Sequence, residues 1–282
     1  MRIYTVDSFT DQAFKGNPAG VCLLDSPRSD EWMQALASEM RHSETAYVLS
    51  QGEGLPYTLR WFTPAVEVAL CGHATLATAH VLYSIGAASG SIEFSTKSGI
   101  LTTKQLDHGR ISMDFPSYLP TEISPPAALL KALGVVPTWV GMGRMDLLAE
   151  LESEQAVRDL TPDIDALTAL EARAVCVTAR ATSPSGLDSS RGLGSSSEVG
   201  SSRGVDYVSR FFAPNAGVAE DPVTGSAHCM LGPYWTAKLG RDALVGEQLS
   251  KRGGIVHTTA RGDRTEISGN AVTVWSGTVH II

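Results

Sequence analysis

The sequence has 282 residues, a net charge of −8, 43% hydrophobic residues and 18% charged residues. This charge, together with the absence of any Lys/Arg run, argues against a nucleic acid or an anionic membrane as partner. No stretch reaches the roughly 20 apolar residues of a membrane span, the N-terminus lacks the apolar core of a signal peptide, and the four cysteines show no CxxC spacing. We therefore expect a soluble, cytoplasmic protein with reduced cysteines.

The first half of the chain predicts an alternation of strands and helices. Strands are expected at 2–6, 19–24 and 45–49, and a helix at 29–40, where Ser29 or Asp30 can cap the first turn. A helix at 74–85 is apolar on nearly every side, so it should be buried. The segments SIEFSTKSGILTTKQ and RISMDF then alternate apolar and polar residues, as half-buried strands do.

The second half predicts a similar order. A helix is expected at 161–170, with Pro162 at its first position, and a strand at 174–179. Another helix at 227–239 is apolar all round and contains Pro233, which should kink or interrupt it. Between these elements, residues 181–204 are dominated by Ser and Gly, and this composition predicts a flexible surface insertion rather than a functional lid.

A repeated phrase connects the two halves. RWFTPAVEVALCGHAT at 60–75 returns as RFFAPNAGVAEDPVTGSAH at 210–228. When the Val-Ala pairs of the two copies are aligned, the second copy carries three extra residues just before Gly225, and Asp221 falls within them. The half-chain spacing predicts two similar domains, 1–117 and 118–282, and the last strand is expected to pack on the first domain.

The two apolar helices begin with small polar residues, at Gly72-His73 and Gly225-Ser226. The first turn of a helix has free N–H groups and a positive dipole end, so it favours a negatively charged ligand. Two similar halves that aim such helix starts at their interface would form a cleft for a small carboxylate. The repeated phrase therefore predicts the two walls of one site.

Several side chains could perform chemistry there, and each also has an ordinary structural explanation. His73 could be a capping or packing histidine, and Asp221 a carboxylate that stabilises a helix start. Glu44 could be a solvated loop residue or a base that points into the cleft, and Ser226 could cap its helix or bind an anion. The Cys and His residues near the helix starts lack zinc-type spacing, and no nucleotide-binding motif is present, so we expect neither metal nor cofactor.

FKGNPAGVCLL, SETAYVL and the two repeated phrases together resemble the PhzF family of phenazine biosynthesis-like isomerases over nearly the whole chain. The resemblance implies an α+β fold of the diaminopimelate epimerase type, with two pseudo-symmetric domains, each a curved sheet wrapped around a central helix. It also implies catalytic roles for Glu44, His73 and Asp221, a substrate-binding role for Ser226, and cofactor-free proton transfer on a small cyclic carboxylate.

The expected reaction is thus an isomerisation in which Glu44 removes a proton. Gly72, Gly225 and Ser226 would bind the carboxylate, and Asn17 is a further candidate contact. Related epimerases use two facing cysteines, but Cys71 would here face Thr224, so a thiol pair is disfavoured. Two alternatives stay open: an epimerase or dehydratase of a cyclic amino acid based on Cys71 alone, and a non-enzymatic binding protein of the same fold. A homodimer is the default expectation for an enzyme of this size.

Overall fold

The computed structural model describes residues 1–182 and 204–280, so the insertion predicted at 181–204 lies almost entirely outside the described residues. The described part contains 18 strands and six α-helices. Those of the first half are β1 (Arg2–Ser8), β2 (Asn17–Leu24), α1 (Asp30–Met40), β3 (Glu44–Leu49), β4 (Tyr57–Phe62), β5 (Glu67–Val68), α2 (Gly72–Ser84), β6 (Ser91–Thr96), β7 (Gly99–Gln105) and β8 (Ile111–Pro116).

The second half follows the same plan with additional helices. Its elements are β9 (Thr121–Glu122), α3 (Ala127–Leu133), β10 (Trp139–Met142), β11 (Asp146–Glu150), α4 (Glu154–Asp159), α5 (Ile164–Leu167), β12 (Ala174–Arg180), β13 (Tyr207–Ala213), β14 (Val218–Asp221), α6 (Gly225–Leu239), β15 (Ala243–Gln248), β16 (Gly254–Arg261), β17 (Arg264–Gly269) and β18 (Ala271–Thr278).

Hydrogen bonding arranges these strands in two equivalent series. The first runs β18–β1–β2–β3–β4–β6–β7–β8 and the second β9–β10–β11–β12–β13–β15–β16–β17. Each series has its parallel pairs at the same places, β2–β3 and β4–β6 in one, β11–β12 and β13–β15 in the other. The antiparallel pairing of β8 with β17 joins the two series.

Each series encloses one apolar helix. The residues of α2 from His73 to Ala79 are all buried. The apolar ones among them pack in one core with side chains from the surrounding strands, such as Val21, Trp61 and Phe94. In the second half α6 packs with Tyr207, Phe211 and Leu244 in the same way. A helix that is apolar all round can lose its hydration on every side, so the strands close around it. The expected α+β fold with a central helix in each half is confirmed.

Further helices cover the outer faces of the sheets. In the first half α1 begins at its N-cap Ser29, whose Oγ accepts a hydrogen bond from the Trp32 N–H, and it packs Met33 and Ala37 against Tyr47. In the second half α3, α4 and α5 bury a separate core against β11, β12 and β13. Each half is therefore layered, with the central helix inside the sheet and the amphipathic helices outside it.

One helix prediction needs correction. The helix expected at 161–170 forms only at Ile164–Leu167, capped by Asp163, because the chain then tightens into turns in which each N–H bonds three residues back. Pro233 does not interrupt α6, which continues to Leu239, and a kink at this proline stays a prediction. A proline leaves the carbonyl four residues earlier without its helical donor, and here that carbonyl, on Cys229, accepts from the Tyr118 N–H at 2.9 Å.

No helix within residues 1–182 and 204–280 is both long enough and apolar enough to cross a membrane.

Candidate active site

The N-termini of the two central helices lie side by side. A Cβ atom added to Gly72 would lie 3.9 Å from the Cα of Gly225, and a Cβ atom on Gly225 would lie 3.6 Å from the ring of Phe9. Phe9 is fully buried and has a positive φ of 63°, an uncommon conformation for a residue with a side chain. The structure thus brings Gly72 and Gly225 together, with Gly225 against one buried ring, although the sequence separates them by about half the chain.

The start of α2 carries the first group of polar side chains. His73 is the second residue of the helix, and its Nε2 lies 3.3 Å from Oε2 of Glu44 and 3.1 Å from Oγ of Ser43. Its Nδ1 lies 3.5 Å from Sγ of Cys71. Glu44 is the first residue of β3, and its side chain is 19% exposed. Its carboxylate is therefore held beside the imidazole without being sealed from a ligand.

Asp221, the last residue of β14, provides a second carboxyl group. Its Oδ1 accepts a hydrogen bond of 2.8 Å from Nδ2 of Asn17, and its Oδ2 accepts one from the hydroxyl of Thr224. Burial raises the pKa of Asp221, and the nearby charge of Glu44 adds to this effect, while His73 and the two hydrogen-bond donors oppose it. Asp221 therefore holds a proton more readily than an exposed aspartate does.

Asn17 and Gln248 support the loop that carries Asp221. Asn17 is fully buried, and its Nδ2 also donates to the carbonyl of Val223 at 2.8 Å, so both amide hydrogens are engaged. Gln248, also fully buried, accepts from the Thr224 N–H at 2.9 Å and donates to the Asp221 carbonyl at 2.6 Å. Within the described residues Oδ1 of Asn17 has no hydrogen-bond partner, so a substrate contact there stays a prediction. Gln248 was not predicted, because nothing in EQLSKR distinguishes it.

Ser226 is the second residue of α6 and is exposed at the helix start. Its Oγ lies 3.4 Å from Nη2 of Arg173, which precedes β12. The Arg173 guanidinium is held by Asp146 through two hydrogen bonds, Nε to Oδ1 at 2.8 Å and Nη2 to Oδ2 at 2.5 Å. Sequence reasoning missed Arg173, because EARAV carries no motif and its proximity to Ser226 depends on the pairing of distant strands.

Two other titratable groups near the helix starts are poor acid–base candidates. Burial and the charge of Glu44 raise the pKa of the Cys71 thiol well above its usual value, so the thiol stays protonated at neutral pH. Burial lowers the pKa of His228 to about 4. Nδ1 of His228 lies 2.9 Å from the carbonyl oxygen of Thr224. A neutral imidazole can donate a hydrogen bond at this position.

One cluster within the described residues could offer ligands to a metal ion. A donor atom from each of Glu44, Cys71 and His73 lies within 4.8 Å of the other two. Thiol coordination needs the thiolate, which burial opposes at Cys71. The same three side chains already contact one another through the imidazole. The expectation that the protein uses no metal stays a prediction.

The structure corrects the alignment of the repeat. Arg60 donates two hydrogen bonds to Glu67, and Arg210 donates two to Glu220. Glu67 therefore corresponds to Glu220, and each lies five positions before its helix-start glycine. The three extra residues thus lie earlier, in the segment between β13 and β14 that contains the 3₁₀ turn Pro214–Ala216. Strand register pairs Trp61 with Val68 and Phe211 with Asp221, so the prediction that Asp221 lies in an insertion is wrong: it takes the place of Val68.

These observations define a class of protein: an α+β fold of two similar halves that places carboxyl and imidazole groups beside paired helix N-termini. The chain belongs to the phenazine biosynthesis-like family, because the model of that family, PhzC-PhzF, matches residues 6–277. A protein of Halalkalibacterium halodurans named an uncharacterized isomerase is 46% identical over 275 residues, which are 96% of each chain. The prediction of an isomerase is confirmed at this level.

Solved structures agree with this assignment. A putative PhzC/PhzF protein from Clostridium difficile matches with a TM-score of 0.86 and 40% identity, covering 100% of both chains. A PhzF family protein from Enterococcus faecalis matches with a TM-score of 0.87 and 38% identity, covering 99% of both. A hydroxyproline epimerase from Agrobacterium vitis matches with a TM-score of 0.60 and 11% identity, covering 98% of this chain and 91% of the epimerase, which shows a shared fold and no more.

Proposed function

We propose that this protein is a cofactor-independent isomerase that moves a proton on a small cyclic carboxylate. The substrate would bind between the two lobes, each of which is one series of strands with its central helix. The observation that carries the proposal is the position of Glu44, whose carboxylate lies 3.3 Å from Nε2 of His73 at the start of α2. Because α6 begins beside α2, a ligand held at the helix starts would lie within reach of this carboxylate.

Substrate binding is assigned to the paired helix starts. The first N–H groups of a helix have no intrahelical acceptor and lie at the positive end of the helix dipole. The N–H groups at Gly72-His73 and Gly225-Ser226 would therefore bind the substrate carboxylate and the negative charge that develops during proton removal. Within the described residues neither helix has an acidic side chain in its first turn to compete for this role.

Glu44 would act as the base. It takes a proton from a carbon next to a double bond or carbonyl group, and the electron pair of the broken C–H bond delocalises into that system. The proton then returns to another carbon of the same system, so the substrate is isomerised without a redox change. Positioned bases of this kind contribute roughly 10²- to 10⁴-fold in rate.

Asp221 and His73 would complete the proton transfer. The raised pKa of Asp221 suits it to donate a proton to the substrate, while Asn17 and Thr224 fix its orientation. His73 would hold Glu44 in place through Nε2, which also contacts the Ser43 hydroxyl. A mechanism based on Cys71 fits less well, because its thiol is kept protonated and the equivalent residue in the other half is Thr224.

Deuterium exchange tests the proposal directly. In D2O the protein is incubated with 2,5-cyclohexadiene-1-carboxylate, whose C1–H is flanked by two double bonds and the carboxyl group, and deuterium uptake is followed by NMR. We expect enzyme-dependent exchange at the ring carbons and formation of the conjugated diene. Binding of this acid without any exchange would contradict proton-transfer chemistry and would favour a binding protein of the same fold.

A further inference from the structure

The two lobes can be aligned residue by residue through their strand register. Tyr47 of β3 pairs with Arg60, and Val177 of β12 pairs with Arg210. Since the two arginines are equivalent in the repeat, Ala174 lies in the second lobe where Glu44 lies in the first. By the same count Arg173 corresponds to Ser43.

This alignment makes two contacts equivalent that have opposite chemistry. In the first lobe Ser43 contacts His73, the second residue of α2, at 3.1 Å. In the second lobe Arg173 contacts Ser226, the second residue of α6, at 3.4 Å. The start of α2 is therefore flanked by a carboxylate and an imidazole. The start of α6 is flanked by a hydroxyl and a guanidinium, and also by the carboxyl group of Asp221, which contacts Thr224.

The second lobe also carries a partner that holds Arg173 in position. Asp146 pairs with Ala174 in the β11–β12 register, as Ala19 pairs with Glu44 in β2–β3. An aspartate thus stands where the first lobe has an alanine, and it takes two hydrogen bonds from Arg173. A guanidinium fixed in this way loses little side-chain freedom when it binds a further anion.

Arg173 still has donors available. Its Nε and Nη2 are engaged by Asp146 and Ser226, whereas Nη1 has no hydrogen-bond partner in the part of the chain that the structure describes. The side chain is 37% exposed, compared with 10% for Asp146. A guanidinium has five N–H donors, so two remain for a ligand at this helix start.

We propose that Arg173 binds the substrate carboxylate together with Ser226 and so determines which end of the substrate faces Glu44. This inference rests on the proposed function and deepens it. With a base in one lobe and a cation in the other, an acid can bind productively in only one direction, with its carboxylate towards α6 and its reacting C–H towards β3. The substrate is therefore an acid whose carboxylate and reacting C–H bond point towards different lobes, which is possible even when both are on the same ring carbon.

Benzoate and its uncharged analogue benzamide test the proposal, because they differ in charge but hardly in shape. Binding of each to the full-length protein is measured by NMR titration or calorimetry. The parent should bind benzoate more tightly than benzamide. Arg173→Gln should weaken benzoate binding about tenfold or more, as expected for a lost charged hydrogen bond, and leave benzamide binding unchanged. Arg173→Lys should retain part of the preference, since it keeps the charge.

The controls separate this effect from loss of fold. Arg241→Gln removes an arginine of similar exposure, 43%, that pairs with the buried Asp206, and it should leave the benzoate preference intact. If Arg173→Gln unfolds because Asp146 is left unpaired, the double variant Arg173→Gln/Asp146→Asn restores neutrality and should show the same loss of benzoate binding. Equal binding of benzoate and benzamide by the parent, or an unchanged preference in Arg173→Gln, would overturn the inference. Neither result depends on deuterium exchange, which reports on Glu44.

Discussion

Asn17 and Asp221 are 204 positions apart in the chain, yet Nδ2 of Asn17 donates to Oδ1 of Asp221 over 2.8 Å. The bond joins the first residue of β2 in one lobe to the last residue of β14 in the other. Because Asn17 also holds the Val223 carbonyl, one buried amide fixes both the Asp221 side chain and the loop before α6. The geometry of the candidate acid therefore depends on how the two lobes meet.

Replacing Glu44 with Gln should stop catalysis while preserving binding. The amide keeps the shape of the side chain but cannot accept a proton, so exchange of 2,5-cyclohexadiene-1-carboxylate in D2O should fall by roughly 10²- to 10⁴-fold. Benzoate should bind as tightly or more tightly, because a negative charge in the same site as the anion is removed. Glu39→Gln, at an exposed position of α1, is the control and should exchange at the parent rate. Parent-like exchange in Glu44→Gln would place the base elsewhere.

Cys71→Ala should leave deuterium exchange within a few-fold of the parent rate. Burial keeps the Cys71 thiol protonated, so it is not available as a base at neutral pH. The same exchange assay checks this, with circular dichroism to confirm folding. An epimerase or dehydratase that used Cys71 would lose its activity in this variant, so a large drop in exchange would favour that alternative over a Glu44-based isomerase.

The stability of Asp221→Asn relative to that of the parent should increase as pH rises. Because burial raises the pKa of Asp221 in the folded protein, its contribution to stability is fully present below the unfolded pKa of about 4. That contribution is lost as pH rises through the folded pKa. Urea-unfolding midpoints of both proteins between pH 4 and pH 8 measure the difference, and Asp11→Asn, at an exposed position, is the control. A midpoint difference that does not change with pH would contradict the raised pKa.

Residues 183–203 should be replaceable by a short Gly-containing turn. Arg180 and Tyr207 are paired in the β12–β13 register, and the Ala181 N–H donates to the Asp206 carbonyl at 3.0 Å, so the two ends are already close enough for a tight connection. Shortening the connection between two paired strands changes the closure entropy little. The variant should unfold at the parent urea midpoint and exchange deuterium at the parent rate. A folded variant without exchange would assign the segment a role at the site.

Features that depend on local patterns could be predicted from the sequence. The helix starts Gly72-His73 and Gly225-Ser226 were predictable because an all-round apolar segment after a small polar pair identifies a buried helix and its N-terminus. Glu44 was identified because the motif around it resembles that of a known family. The prediction of a helix at 161–170 was too long. The apolar pattern there is weak, and the chain forms tighter turns after Leu167.

Contacts between segments that are far apart in sequence became known only from the tertiary structure. Arg173 reaches Ser226, and Gln248 supports Asp221, because strand register brings β12, β15 and the start of α6 together. The place of the three extra residues likewise became clear only from the two Arg–Glu pairs. The physical reason is that a hydrogen bond between distant residues depends on the packing of whole sheets, and no local spacing in the chain encodes that arrangement.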